Sequence, residues 1–220
     1  RGRGVGIKTR IVPVLLWNDH GAVKGKQFNP GRSIGSIRDR VQLMERREVD
    51  ELIILDIAAT PNNRGPRFEE VRALTENLFM PVTIGGGVKS IADIRRLLEC
   101  GADKVSINTA ALENPRLICE ASEKFGAQAV VASIDVREDG YVYAKCGRVC
   151  TNYYASEWAE AVEAYGAGEI LLTAINRDGT LEGYDIDLIR EVSDAVDIPV
   201  IACGGCGSYE HIAEVLHNTK

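Results

Sequence analysis

"MPVTIGGGVKSIADIRRLLE", Met80 to Glu99, returns about 118 positions later as "IPVIACGGCGSYEHIAEVLH", Ile198 to His217. Each copy has an X-Pro step, a short apolar run, a glycine pair, a serine and then an amphipathic stretch. That pattern is a strand, a tight turn and a capped helix. The likeness reaches further. At nearly the same offset "ILDIA" (Ile54–Ala58) falls on "LLTAI" (Leu171–Ile175), and "IVPVLLWND" (Ile11–Asp19) falls on "VVASIDVRED" (Val130–Asp139) to within a residue. Self-similarity over such a distance means duplicated architecture.

Between and around these segments, short apolar runs alternate with helical patterns. Strands are expected at Ile11–Leu16, Glu51–Ile57, Val82–Gly85, Lys104–Ile107, Ala129–Asp135, Glu169–Ala174 and Ile198–Ala202. Their apolar residues are continuous rather than alternating, as in strands covered on both faces. Helices are expected at Ile34–Glu48, Arg67–Leu78, Ser90–Cys100, Pro115–Phe125, Ser156–Tyr165, Ile186–Val196 and Tyr209–His217. Ser90 with Asp93, and Asn114 before Pro115, look like helix starts; Gly101 and Gly126 look like stops. Repeated βα units leave an open doubly wound sheet or a (β/α)8 TIM barrel, and the two-fold half-barrel repeat selects the barrel. Seven units are visible, and the chain reaches Lys220 where an eighth strand is due, so the barrel is expected to lack its eighth βα unit. Residues 1–10 read as a lead-in and 11–220 as a single barrel domain.

The 220 residues, 45% hydrophobic, suffice for one sizeable core. A formal net charge of -6 disfavours a nucleic-acid partner. No apolar run has the length to span a bilayer, and "RGRGVGIKTR" carries no apolar segment of a signal peptide. Cys100, Cys119, Cys146, Cys150, Cys203 and Cys206 are irregularly spaced and read as reduced thiols of a cytoplasmic protein. Cys203-Gly204-Gly205-Cys206 has the C-x-x-C form without a second ligand pair, and His20, His211 and His217 are scattered. No metal and no cofactor are expected.

Barrels of this kind place reacting groups at the C-terminal ends of their strands. Gly85-Gly86-Gly87 there lets backbone N–H groups approach an anion, with Asn108 and Thr109 adding donors; Gly204-Gly205 repeats the device in the other half. Two such sites on opposite sides of one mouth suit a substrate with a phosphate at each end. Asp135 ends a buried strand, where a carboxylate serves as general acid or base. Asp178 lies in the polar turn "NRDGT" (Asn176–Thr180). The first strand leads into a loop with Asp19, Lys24 and Gly25. "VREDGYVYAKCGRVC" (Val136–Cys150) reads as a hairpin over the mouth, since Asp139-Gly140 is a good two-residue turn.

The ordered segments "GADKVSINTAALENP" (Gly101–Pro115), "GAGEILLTAINRDGTLEGYD" (Gly166–Asp185), "GGG" (Gly85–Gly87) and "VKG" (Val23–Gly25) resemble the cyclase subunit of imidazole glycerol phosphate synthase, the HisF family. The resemblance runs from Arg10 to about His217. It implies a TIM barrel of the ribulose-phosphate-binding type, which accepts ammonia from a glutaminase (HisH-like) subunit as a heterodimer and cyclises a bis-phosphorylated substrate. It implies phosphate contacts from Gly86, Gly87, Asn108 and Thr109 at one end, and from Thr173, Gly179, Gly204 and Gly205 at the other. Asp135 and Asp178 would be catalytic, and Lys24 a mobile-loop lysine. Arg10, Glu51, Lys104 and Glu169 stand just before four strands, where paired charges can close the barrel floor; in the family these positions form the ammonia gate.

One position departs. The family's "CLDVKDG" reads "VLLWNDHG" (Val14–Gly21) here, so Leu16 stands where the first of two proton-transferring aspartates belongs. Cys203 replaces a serine, and Asn176 an aspartate. The expectation is a divergent paralogue that supplies ammonia for sugar amidination in surface-polysaccharide biosynthesis and has weak cyclase activity. An active cyclase of histidine biosynthesis is the alternative, and a non-catalytic scaffold that activates a glutaminase is the alternative of another class.

Overall fold

The structure is a computed structural model and describes residues 9–220; most of the expected lead-in lies outside the described residues. In chain order the elements are β1 (Val14–Asn18), β2 (Gly21–Lys26), β3 (Asn29–Gly35), α1 (Ile37–Arg46), β4 (Leu52–Asp56), α2 (Phe68–Thr75), β5 (Val82–Gly85) and α3 (Ile91–Glu99). There follow β6 (Lys104–Ile107), α4 (Thr109–Glu113), α5 (Arg116–Phe125), β7 (Val130–Val136), β8 (Tyr141–Ala144), β9 (Val149–Tyr154) and α6 (Ala155–Ala164). β10 (Glu169–Ala174), α7 (Ile186–Ala195), β11 (Val200–Cys203) and α8 (Tyr209–Asn218) complete the chain.

Parallel strands run β1-β4-β5-β6-β7-β10-β11 in sequence order, joined by helical crossovers. This α/β sheet is not flat. Arg10, just before β1, touches Glu169 on β10, almost at the far end of the strand order. Only a sheet curled round on itself brings those two residues together. No pairing joins β11 to β1 among the described residues, so the curl stays open along one seam. Beside the seam, β11 is only half-buried and α8 has no buried residue.

Two apolar layers follow from the two-residue period of each strand. Leu15, Trp17, Leu52, Ile54, Val105, Ile107, Val130, Ile134, Ile170 and Leu172 face the helices in one cluster. Ile53, Val131 and Leu171, packed by Val12, Val14, Leu55, Ile201 and Cys203, fill the inside of the curl. The strands are therefore buried on both faces, as their unbroken apolar runs foretell.

Local signals mostly take their expected form. Ser90 Oγ accepts from the Asp93 N–H while the Asp93 carboxylate accepts from the Ser90 N–H, a reciprocal cap on α3. Gly101 and Gly126 end helices at φ of 100° and 88°. Asn114 does not cap α5; Pro115 holds that position. The first strand begins at Val14 rather than Ile11, since Pro13 has no N–H to give the ladder, and it extends past Leu16 to Asn18.

The expected loop after β1 is a correction. Residues 21–35 form an antiparallel hairpin, β2 with β3, and Lys24 is a strand residue paired with Arg32. Its two-residue turn is Gln27-Phe28, at φ of 53° and 60°. Such turns favour Asn-Gly, so the sequence carries no signal for this one. The strained turn is held by its tip: the Gln27 N–H donates to Asp178 O at 2.8 Å and Gln27 Nε2 to Asn176 O at 2.8 Å. The hairpin thus crosses from β1 to the loop after β10. The hairpin expected at Asp139-Gly140 is present and turns β7 into β8, with Gly140 at φ 79°; a second hairpin, β8 with β9, follows it, turning at residues 145–148, for which no turn was read from the sequence.

Replacing the α3 cap, Ser90→Ala, is expected to cost about 1 kcal/mol of stability. Urea denaturation of the two proteins at one pH measures it.

Candidate functional site

At the N-terminal rim of the curled sheet four side chains close a ring. Arg10 Nη1 donates to Glu51 Oε2 at 2.5 Å and Arg10 Nη2 to Glu169 Oε1 at 2.6 Å. Lys104 Nζ donates to Glu51 Oε1 at 2.9 Å and to Glu169 Oε2 at 2.7 Å. Each cation bridges both anions, so the charges alternate and every carboxylate oxygen is used. Thr83 Oγ1 lies 3.5 Å from Glu51 Oε1. Burial pushes the Glu169 carboxyl up, but the hydrogen bonds and charges of Lys104 and Arg10 outweigh it and hold it below the usual range. The hydrogen bond to Glu169 leads in raising the Arg10 guanidinium. Buried charges persist only when paired this fully.

Above the ring lies a space of about 1390 Å³ that runs on into the open seam, where Pro199, Ile212, Val215 and Leu216 also line it. Its lower wall includes Arg10, Val12, Val14 and Leu171; its middle has Ser106 and Ser133, whose hydroxyl oxygens are 2.5 Å apart. Its upper wall brings together all the residues assigned to the mouth: Lys24, Gly86, Gly87, Asn108, Thr109, Asp135, Thr173, Asp178, Gly179, Gly204 and Gly205.

Asp135, one residue before the end of β7, lines this space, and Asn108 Nδ2 donates to its Oδ2 at 2.7 Å. Burial pushes its carboxyl up to about 7, against the downward pull of the Asn108 and Thr173 hydrogen bonds; the Asp178 charge adds to the rise. A carboxyl with that affinity exchanges protons near neutrality, as a general acid or base must. Asn108 Oδ1 is buried with no hydrogen-bond partner among the described residues. An orphaned acceptor costs about 1–3 kcal/mol, which a donor arriving in the cavity would offset. Burial also raises the Asp178 carboxyl, while the Phe28 N–H pulls it back.

The glycine pairs occupy matching places after β5 and β11. Gly86 and Gly87 lie at φ of 108° and 70°, Gly204 and Gly205 at 97° and 99°. A Cβ on Gly86 would sit 2.3 Å from Asp56 O, and one on Gly205 2.0 Å from Gly183 O. Close packing alone therefore demands these glycines, and all four line the cavity. Thr109 Oγ1 accepts from the Lys145 N–H at 3.0 Å, so the tip of the second hairpin rests on the mouth. Lys24 is exposed on β2 and lines the rim.

Leu16 lines the same cavity as Asp135, with no carboxylate beside it from β1. The next acid, Asp19, does not fill in. It is held on the rim by Arg64, at 3.3 Å, and by Arg67, and Asn62 Nδ2 donates to it at 3.1 Å. Asp56 is committed to the same arginines, at 2.6 and 3.1 Å.

Ser133, Thr83 and Cys146 belong to this interior and were not singled out from sequence. The two-residue period through Val131, Ser133 and Asp135 could have found Ser133. The six cysteines are free. Among the described residues no three His, Cys, Asp or Glu side chains converge on a metal position, and no helix is long and apolar enough to cross a membrane.

A curled parallel sheet with a charged floor and a polar, glycine-rimmed mouth defines an α/β barrel-like protein built around a small-molecule cavity. The chain belongs to the histidine biosynthesis protein family, whose model matches residues 10–220. Within that family it is of the HisF type. It is 46% identical over 215 residues to the imidazole glycerol phosphate synthase subunit HisF of Hydrogenobaculum sp. (strain Y04AAS1), covering 96% of this chain and 85% of that protein. It is 44% identical over 219 residues to the subunit of the same name from Clostridium botulinum (strain Langeland / NCTC 10281 / Type F), covering 97% and 87%.

Removing one cation from the floor, Lys104→Met, leaves two buried carboxylates sharing one arginine. About 2–4 kcal/mol of stability is expected to be lost, read by denaturant titration. Asp135 gives a pH signature. Its folded-state pKa lies above the unfolded one, so between the ordinary carboxylate range and about 7 the native state holds a proton that the unfolded chain has released. Stability therefore falls as pH rises through that window. Asp135→Asn is expected to remove that fall, about 4 kcal/mol at ~1.36 kcal/mol per pKa unit, measured by denaturation at a series of pH values.

Proposed function

We propose that this chain is the synthase-side subunit of a glutamine amidotransferase complex. It takes ammonia from a glutaminase (HisH-like) subunit docked as a heterodimer at the barrel floor, and releases it at the mouth to a phosphorylated small-molecule acceptor. Arg10, Glu51, Lys104 and Glu169 are the gate. Gly86, Gly87, Asn108 and Thr109 hold one anionic group, and Thr173, Gly179, Gly204 and Gly205 the other. Lys24 covers the bound ligand, and Asp135 and Asp178 handle protons. The orphaned Asn108 Oδ1 beside Asp135 supports the reading, because it suits an arriving N–H donor.

The observation that carries the proposal is Leu16, aliphatic and facing the cavity of Asp135. Ring formation in the family pairs two aspartates, and loss of one member of an acid–base pair costs about 10²–10⁴ in rate. The acceptor is accordingly one that needs amination without that cyclisation, of the kind used in sugar amidination for surface polysaccharides. A second reading, an active cyclase of histidine biosynthesis, is favoured by the 44–46% identity to HisF subunits over nearly the whole chain. The architecture is read in the same terms. Residues 11–220 are one barrel domain of two similar halves, and the seam between β1 and β11 seats one further βα unit. The half-buried β11, the α8 without a buried residue and the matching glycine turns support this.

The test is cyclisation by the purified complex with its glutaminase, before and after Leu16→Asp. Weak turnover that rises at least a hundredfold is expected; strong turnover before the change establishes the second reading instead. In the Leu16→Asp background, Glu51→Ala is expected to cut glutamine-driven turnover severalfold while turnover with added ammonium is retained.

A further inference from the structure

The two glycine turns that the internal repeat pairs differ in one charged side chain. Setting "GGGVKS" (Gly85–Ser90) on "CGGCGS" (Cys203–Ser208) places Gly86 on Gly204, Gly87 on Gly205 and Lys89 on Gly207. Lys89 lines the same space as Gly86 and Gly87. Its Nζ donates to Asn63 Oδ1 at 2.7 Å, and Asn63 is an exposed, neutral side chain that also lines the space. An ammonium has three N–H donors, so two remain for another acceptor. In the other half the matching place has no room for a side chain: a Cβ on Gly207 would sit 2.4 Å from Leu181 O. The remaining cations along the space are matched by carboxylates. Arg10 is held in the floor ring, Lys145 Nζ is 3.7 Å from Glu113 Oε1, and Lys220 Nζ is 3.4 Å from Asp197 Oδ1. Lys24 precedes Gly25, whose carbonyl oxygen would be 2.3 Å from a Cβ on Gly179, so it belongs with the second turn, where Asp178 is the opposing acid. Asp93, near Lys89 in sequence, accepts from the backbone N–H groups of Lys89 and Ser90 rather than from the ammonium.

We propose that Lys89 is a specificity-determining residue that makes the two anion sites unequal, so that a ligand with two anionic ends seats its more highly charged end, a dianionic phosphate monoester, against Gly86, Gly87 and Thr109. The inference rests on reading the two glycine turns as anion sites. A phosphate monoester presents three strong acceptor oxygens. The Thr109 hydroxyl accepts from the Lys145 N–H and keeps its own proton to donate. Lys89 adds a charge-assisted bond, the stronger kind. Its move from Asn63 to the ligand costs little, because Asn63 is exposed and water takes the vacated acceptor. The turn after β11 gains no such bond from Gly207, so it suits the end of lower charge.

Calorimetric titration of the full chain with inorganic phosphate, at low ionic strength and about pH 8, tests this. Lys89→Gln is expected to weaken the tightest phosphate step about fivefold, the factor for one unit charge about 4 Å away in water. Lys89→Arg should keep that step, since the cation and its donors are restored. Lys124→Gln, which removes an exposed charge on α5 away from the space, should leave it unchanged. A tightest step that Lys89→Gln does not move, or that Lys124→Gln weakens equally, overturns the role of Lys89 and leaves the anion sites standing. Failure of phosphate to bind the unaltered protein overturns the role of Lys89 and the anion sites together.

Discussion

The ring of Arg10, Glu51, Lys104 and Glu169 is the constraint on which the rest of the molecule depends. A parallel sheet of two-sided strands can twist open or curl shut. Here two cations and two anions that alternate along the strand order must meet in one ring, all beneath a cavity where unpaired charge is prohibitively unfavourable. Meeting that demand brings the first and sixth parallel strands within a side chain's length of each other. The curl then decides everything above it. Inward positions of β4, β6, β7 and β10 must point at one axis, and their last residues must converge on one mouth.

The interior changes character along that axis in three steps: alternating charge, then apolar side chains with one hydroxyl pair, then carboxyl and amide groups under a glycine rim. A small neutral molecule is the guest that such a gradient suits. An ion would be held at the floor and penalised in the middle. The upper groups are tuned by the same burial, since desolvation raises both Asp135 and Asp178. Leu16 removes one polar group from this level and puts aliphatic surface in its place. Chemistry at the mouth and shape at the mouth therefore change together at one residue.

Much of this was legible in sequence for identifiable reasons. Two-sided burial writes itself as unbroken apolar runs, and helix caps as Ser90 with Asp93, so strands and helices fall close to their expected bounds. The four floor charges could be read because each precedes an apolar run by one position. The β2–β3 hairpin could not be read, because Gln27-Phe28 has none of the residues that favour its turn. What holds that turn is Asp178 and Asn176, about 150 positions away in the chain. Lys24 was accordingly expected in a loop. The commitment of Asp19 and Asp56 to Arg64 and Arg67 was equally hidden, for charge pairing across a rim leaves no periodicity. The closure of the seam between β1 and β11 has no pairing to read in either sequence or structure.

The anchoring of the hairpin tip carries a further consequence. Phe28 and Gln27 contact both the backbone and the carboxyl environment of Asp178, so the roof and this acid are mechanically one unit. Any lifting of the tip rehydrates the carboxylate and removes its amide donor at the same moment. The two changes act on the acid in opposite directions, rehydration lowering its proton affinity and loss of the donor raising it, so movement of the tip is partly cancelled in its effect on the charge of Asp178.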